Sequence, residues 1–311
     1  MKVLILRFSS IGDIVLTTPV IRCVKEQLNC EVHFATKKGF TSLLESNPYL
    51  DKVIPLGDSF KDFKKDLKKE KYDFIIDLHR NLRTKRVKLA LRTKSKSFDK
   101  LNYAKWKLVR LKKNYLPDIH IVDRYMETVR ELGVSNDDRG LDYSIPTGQE
   151  YKESLPVNYE VYAIGGQHAT KQLPLNRMIE YCKKQEAPIV LLGGKEDASH
   201  GDQITSSCAN AINLCGKTSL GNSAWIIENS KKVHTHDTGM MHIAAAYNKP
   251  IVSIWGNTVP EFGMYPYFKN NEEPEGTKRL EVKGLSCRPC SKIGFNICPK
   301  GHFKCMNDIQ F

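Results

Sequence analysis

The sequence predicts two α/β domains in tandem, each Rossmann-like and doubly wound around a parallel sheet. Three features lead there. The chain has 311 residues, about twice the usual length of one domain. Apolar strand-type runs alternate with helical periodicity through the first half. After a stretch mixing Pro146, Gly148 and Pro156 with charges, the same alternation begins again. The expected domains are residues 1–150 and 151–311.

In the first domain, Val3, Leu4, Ile5 and Leu6 form a buried-strand run, and Ile14, Val15, Val20, Ile21 and Val24 follow at helical spacing. Further strands are expected at 32–35, 53–56 and 74–78, with helices at 40–46, 60–69 and 82–91. Strands separated by helices imply parallel pairing through right-handed crossovers. A helix at 122–132 precedes the linker, expected at 141–155. In the second domain strands are expected at 159–164, 188–192, 232–235 and 250–254, with helices at 175–185, 220–228 and 239–246. A cleft between two such domains collects ligands at the carboxyl ends of strands.

The turns at those ends carry the candidate chemistry. Ser9-Ser10-Ile11-Gly12-Asp13 follows the first strand, where Gly12 permits a tight turn and Ser10 lies at its start. Asp13 opens the next helix, where it acts either as a helix cap or, projecting from a strand end, as a general base. The first βα unit holds neither G-x-G-x-x-G nor a Walker loop, which counts against dehydrogenases and P-loop enzymes.

Asp237-Thr238-Gly239 joins a strand to a small-residue helix, whose free N–H groups and positive dipole suit a pyrophosphate. His242 lies in that helix, close enough to reach a phosphate or Asp237, or to serve as a structural histidine. Gly165-Gly166, with Lys171 before the next helix, fits either a loop wrapping a diphosphate or a flexible surface turn. Glu196 and Asp197 follow Gly193-Gly194 after the next strand, where either a carboxylate accepts hydrogen bonds from ribose hydroxyls or the turn has no ligand role.

Hydrophobic residues make up 41% and charged residues 27%, the composition of a globular protein. No stretch has the roughly 18–20 uncharged apolar residues of a membrane-spanning helix, so membrane contact is expected to be peripheral. The net charge is +13, and residues 61–113 hold 20 Lys and Arg against 6 Asp and Glu, so that one segment carries the whole excess. Such a stretch is either a solvated helix face or a surface facing phosphate groups on lipid, membrane or nucleic acid. Nine cysteines, an odd number, fit a reducing compartment better than a disulfide framework.

Ser9-Ser10-Ile11-Gly12-Asp13 with Thr17-Thr18-Pro19, Lys171 before Leu173-Pro174, Gly193-Gly194, and Asp237-Thr238-Gly239 with His242 together resemble the heptosyltransferases of glycosyltransferase family 9. The resemblance runs over nearly the whole chain. It implies a GT-B fold, an ADP-heptose donor held by the second domain, and an anionic lipopolysaccharide or lipid A core acceptor held by the first. It further implies an inverting displacement that requires no metal cofactor. Asp13 would be the base, while Lys171, Thr238, Gly239 and His242 would hold the diphosphate, with Asp237 in the same turn and Asp197 or Glu196 at the ribose. Arg80, Arg83 and Lys85, just after the strand at 74–78, are candidate acceptor contacts. The expected setting is the cytoplasm, with peripheral contact at the inner-membrane face, a monomer, and no nucleic-acid partner.

Two departures accompany the resemblance. Family members often carry Ser or Thr where Gly165 and Gly166 stand, so phosphate contacts there are expected from backbone alone. Family members also usually continue past the position of Phe311 with a C-terminal helix, so either the chain is shortened or domain closure is handled differently.

Cys287, Cys290, Cys298 and Cys305 gather near the C-terminus. Four thiols at this spacing either close a structural zinc or iron site or remain without metal. Related heptosyltransferases that modify autotransporters hold iron with four C-terminal cysteines at longer spacings. A competing reading treats the basic stretch and a cysteine zinc module as a nucleic-acid-binding surface. It leaves the Asp237-Thr238-Gly239 turn unexplained.

Overall fold

The computed structural model describes all 311 residues and divides into two compact units. One comprises Met1–Lys100, Ile119–Thr147 and Lys269–Asn271; the other comprises Leu101–Asp118, Gly148–Phe268 and Glu272–Phe311. The grouping does not follow a single cut near residue 150, because segment 101–118 packs with the second unit.

In the first unit the elements are β1 (Lys2–Leu6), α1 (Ile11–Val15), α2 (Thr18–Leu28), β2 (Glu31–Lys37), β3 (Lys52–Leu56), α3 (Phe60–Lys69), β4 (Phe74–Asp77), α4 (Leu82–Leu91) and β5 (Ser95–Ser97). Helix α5 (Asn102–Leu111) belongs to the second unit, and α6 (Ile121–Met126) to the first. All strands pair in parallel, in the order β3-β2-β1-β4-β5. Central β1 is apolar from Val3 onward because helices cover both faces; Val3 to Leu6 are fully buried. Each such side chain contributes roughly 1.5–3 kcal/mol by leaving water.

The second unit runs β6 (Glu160–Ala163), α7 (Leu175–Lys183), β7 (Ile189–Leu192), α8 (Ala198–Ser207), β8 (Ala211–Asn213), α9 (Leu220–Glu228), β9 (Val233–His236), α10 (Gly239–Ala246), β10 (Ile251–Trp255), β11 (Lys278–Glu281) and α11 (Lys304–Asn307). Its parallel sheet is ordered β11-β10-β9-β6-β7-β8. Tyr162, Ile164, Met178, Leu191 and Ile254 share its core with Cys305, Met306 and Ile309 of the C-terminal segment.

In both sheets the chain starts in the middle, runs to one edge and then crosses to the other side. That places topological switch points between β1 and β4 in the first sheet and between β6 and β9 in the second, where loops diverge and leave room for a ligand. The expected helix at 122–132 is broken into α6 and a short 3₁₀ turn at Arg130–Leu132.

Candidate active site

The second unit builds its site at the switch point from turns that follow β6, β7, β9 and β10. Lys171 Nζ lies 2.6 Å from Asp237 Oδ2 and donates to the Asp237 carbonyl at 3.1 Å. Thr258, after β10, donates its hydroxyl to the same Oδ2 at 2.8 Å. Thr238 is the N-cap of α10 in extended backbone, and its hydroxyl lies 3.2 Å from that of Thr235. Gly239 opens α10, so the N–H groups of its first turn stand beside the Lys171 ammonium. His242 is buried within the same helix.

The glycines of the neighbouring turns are held by close approach. A Cβ on Gly166 would lie 3.5 Å from the Thr238 methyl and 3.3 Å from Gln172 Cγ, which places the β6 loop against the β9 loop. Gln172 also donates to the Gly166 carbonyl at 2.9 Å. A Cβ on Gly165 would lie 2.5 Å from Asp197 Oδ2, and one on Gly193 would lie 2.8 Å from Asp197 Cβ. Asp197 is buried and accepts from Gly194 N–H at 2.8 Å; burial raises its pKa although that bond opposes the rise. Its carboxylate shapes the turn, whereas Glu196 is exposed.

His236, at the end of β9, has a positioning role that the sequence reading missed. Its Nε2 accepts from Leu173 N–H at 3.0 Å, pinning the segment two residues from Lys171. Burial pushes its pKa down to about 3, which keeps Nε2 an acceptor at neutral pH. Thr258 also escaped notice, since a lone Thr after a strand carries no motif. His236 was visible as the residue before Asp237.

In the first unit Asp13 lies in the first turn of α1 and accepts from Ser10 N–H at 3.2 Å and Ser10 Oγ at 2.8 Å. The capping role is therefore real. Its other oxygen, Oδ1, sits 2.6 Å from Arg7 Nη2. Arg7 is buried and held by the Ser9 carbonyl at 2.7 Å, the Leu78 carbonyl at 2.6 Å and Tyr125 Oη at 3.0 Å. Burial alone would raise the Asp13 pKa, but Arg7 and Ser10 outweigh it and hold the carboxyl below its ordinary range. Arg7 was legible only as a charge closing an apolar run. Gly12 is buried in α1. His79 lies beside this turn, and burial, reinforced by Arg7, pushes its pKa down to about 4.

Arg80 follows β4 with φ +46° and binds the Phe98 carbonyl at 3.1 Å and Asp99 at 2.9 Å. Arg83 and Lys85 are exposed in the opening turns of α4. Thus Arg80 is engaged within the fold, and Arg83 and Lys85 are the cations presented at the end of β4.

The four C-terminal cysteines are all free thiols. Cys287 Sγ lies 3.8 Å from His302 Nε2, and Cys290 Sγ donates to the Cys287 carbonyl at 3.1 Å. Cys305 is packed in the core, where burial pushes its pKa up to about 12, and Cys298 is partly exposed. Three ligand-type atoms within 4.8 Å of one another occur at Glu31, His33 and Glu70 rather than among these thiols. There, Lys2 at 3.0 Å and Lys52 already neutralise Glu70, so that group is an ion-pair network. The four thiols nonetheless gather closely enough that Cys287, Cys290 and Cys298 reinforce the effect of burial on Cys305.

Two doubly wound parallel sheets, each with polar and charged turns at its switch point, are the architecture of the GT-B fold. The solved structure of Escherichia coli ADP-heptose lipopolysaccharide heptosyltransferase II has that fold, at TM-score 0.69 and 19% identity over 99% of this chain and 98% of its own. Lipopolysaccharide heptosyltransferase 1 of Escherichia coli (strain K12) is 24% identical over 287 residues, which cover 84% of this chain and 89% of that protein. Lipooligosaccharide heptosyltransferase 2 of Haemophilus influenzae is 33% identical over 91 residues, 28% of this chain and 26% of that protein. In that match the chain spans about a quarter of the relative's length. Glycosyltransferase family 9 (heptosyltransferase) matches over residues 60–279, and the chain belongs to this family.

Proposed function

We propose that the enzyme transfers a heptose, or a closely similar sugar, from ADP-heptose to an anionic lipopolysaccharide inner-core acceptor with inversion at the anomeric carbon. The observation that carries this reading is the convergence of Lys171, Asp237, Thr238, Gly239 and the Gly165-Gly166 turn at the switch point of the second sheet. The arrangement offers one ammonium, a helix N-terminus and glycine backbone to a diphosphate. Family membership sets aside the nucleic-acid alternative.

In this reading Asp13 removes the acceptor hydroxyl proton as its oxygen bonds to the anomeric carbon. The bond from that carbon to the diphosphate oxygen breaks on the opposite face, and ADP departs with the electron pair. Lys171 and the opening N–H groups of α10 stabilise the charge that develops on the leaving group. Asp237 and Thr258 aim Lys171, Glu196 is the carboxylate available to a ribose, and His242 supports the helix start. Arg83 and Lys85 meet acceptor anions, with Arg80 bracing their loop. The chain's own base and cations supply each step, and no step draws on a metal. The enzyme works as a monomer in the cytoplasm, at the inner face of the membrane that carries its acceptor; no helix is long and apolar enough to cross one.

Calorimetric titration with ADP, NAD and a short duplex DNA tests the reading on wild type and Lys171→Ala. ADP alone should bind, about 10- to 100-fold more weakly in the variant, the span of a charge-assisted contact. Absence of ADP binding to wild type would remove the donor assignment.

A further inference from the structure

Two segments far apart in sequence meet on the second unit, and neither contains an acidic residue. Residues 101–117 hold five Lys and Arg and no Asp or Glu, and residues 283–307 hold another five with none. Lys112 joins them by donating to the Cys287 carbonyl at 3.0 Å and the Pro289 carbonyl at 2.7 Å. Arg288 is likewise spent inside the fold, on Glu281 at 2.6 Å and the Gly256 carbonyl at 2.6 Å. Arg110, Lys113, Lys292, Lys300 and Lys304 are exposed and make no ion pair. Elsewhere many surface cations are neutralised locally, as Lys69 is by Asp66 and Arg139 by Glu26.

Exposed apolar side chains concentrate on the same two segments. Seven of the twelve large hydrophobic residues exposed in the whole chain fall there. Helix α5 seats Leu108 against Val259 and Phe262. Tyr103, Trp106 and Arg110, spaced three and four apart, share another face of the helix. Trp106 is 48% exposed, stacks on Tyr103 at 6.2 Å, and lines a concavity of about 620 Å³ with Arg110, Lys292, Phe295 and Lys300. Ile293 and Ile297 stand out from the rim, Ile297 at 79% exposure.

We propose that α5 and segment 283–307 form a docking surface for an anionic phospholipid bilayer. Charge complementarity selects that occupant. Unpaired cations ring a concavity with room for phosphate-bearing headgroups, and tryptophan and tyrosine suit the boundary between headgroups and acyl chains. Ile293, Phe295 and Ile297 supply the apolar insertion that charge alone lacks. The surface is wired to the donor site. Phe295 N–H donates to Thr170 Oγ1 at 2.8 Å and its carbonyl accepts from Thr170 N–H at 3.1 Å, beside Lys171. Docking would therefore act on the segment next to Lys171 while holding the enzyme where a lipid-borne acceptor lies; the second consequence alone rests on the proposed function.

Co-sedimentation with vesicles tests the surface without reference to activity. The full chain should partition onto phosphatidylglycerol-containing vesicles at low salt and not onto phosphatidylcholine alone. Brominated acyl chains should quench tryptophan emission, and Trp106→Phe should abolish that quenching. The double reversal Arg110→Glu with Lys292→Glu should cut partitioning by about tenfold or more. Trp106→Ser with Ile297→Ser should also weaken it while leaving ADP affinity unchanged, which shows that the variants are folded. Equal partitioning of the charge-reversed variant, or retention of duplex DNA without vesicle binding, would overturn the proposal. Failure of ADP binding in wild type would overturn the donor assignment and leave the vesicle result standing.

Discussion

The Lys171 ammonium sits 2.6 Å from the Asp237 carboxylate, whose same oxygen is held by the Thr258 hydroxyl at 2.8 Å. A lysine on a short 3₁₀ turn would otherwise sample many rotamers. Here its charge is fixed beside the N-terminus of α10 before a diphosphate arrives, which lowers the ordering cost of binding. The pair should therefore act as one unit. In a double-mutant cycle on ADP affinity, Asp237→Asn should cost nothing further once Lys171 is Ala, giving a coupling of roughly 0.5–3 kcal/mol. Additive losses would show that Asp237 does not act through the lysine.

Asp13→Asn should leave ADP affinity nearly intact and lower turnover by about 10² to 10⁴, the usual contribution of a general base. Arg7 depresses the Asp13 pKa, so the base stays ionised to lower pH than an ordinary carboxylate of about 3.9. Replacing Arg7 by Gln leaves burial opposed only by the two Ser10 bonds and should move the acid limb of kcat/KM to higher pH. A limb that stays in place would separate Asp13 from the titration.

His236→Phe removes the acceptor for Leu173 N–H, and with it the partner of the Tyr162 hydroxyl at 3.3 Å, while filling the same buried space. ADP binding should weaken by about fivefold to tenfold, the cost of one lost hydrogen bond near the loop. Titration calorimetry alongside a melting curve checks it. A lower melting temperature with unchanged ADP affinity would make His236 purely structural.

Beneath the second sheet Tyr181, His234, Glu160 and Lys232 form a chain, with Glu160 2.6 Å from His234 Nε2 and 3.1 Å from Lys232 Nζ. The His234 bond, outweighing burial, lowers the Glu160 pKa from 4.5 to about 2. A depressed carboxyl stabilises the fold above its unfolded pKa and loses that contribution as pH falls through the folded value. Denaturant titration should thus show stability falling between about pH 4.5 and 2, and Glu160→Gln should be less stable at neutral pH with a shallower fall. Parallel curves for the two proteins would exclude Glu160 from acid unfolding.

Periodicity sufficed where buried positions recur at helical spacing or follow one another along a strand. The helices expected at 60–69, 82–91, 220–228 and 239–246 match α3, α4, α9 and α10 end for end, and β1, β3 and β4 begin or end within one residue of expectation. Elements at the sheet edges escaped it. β5 and β8 have three residues each, and β11 reads Lys-Arg-Leu-Glu because one side of an edge strand meets solvent rather than core. Helix α5 was hidden by its lysines, and α8 by Ser, His and Gly in a polar run.

The sequence by itself determined the alternation of strands and helices, the glycine and aspartate turns at strand ends, and the concentration of positive charge in residues 61–113. These depend on neighbours a few positions apart, where pattern and chemistry coincide. Tertiary structure alone decided that Arg7 grips Asp13, that Asp197 is spent holding Gly194 while Glu196 stays exposed, and that His236 pins Leu173. It also split the basic stretch, sending residues 101–113 to the second unit beside a segment about 180 positions away. Such pairings are set by strand order and by which side chain reaches which loop across a sheet, and no periodicity along the chain encodes that distance.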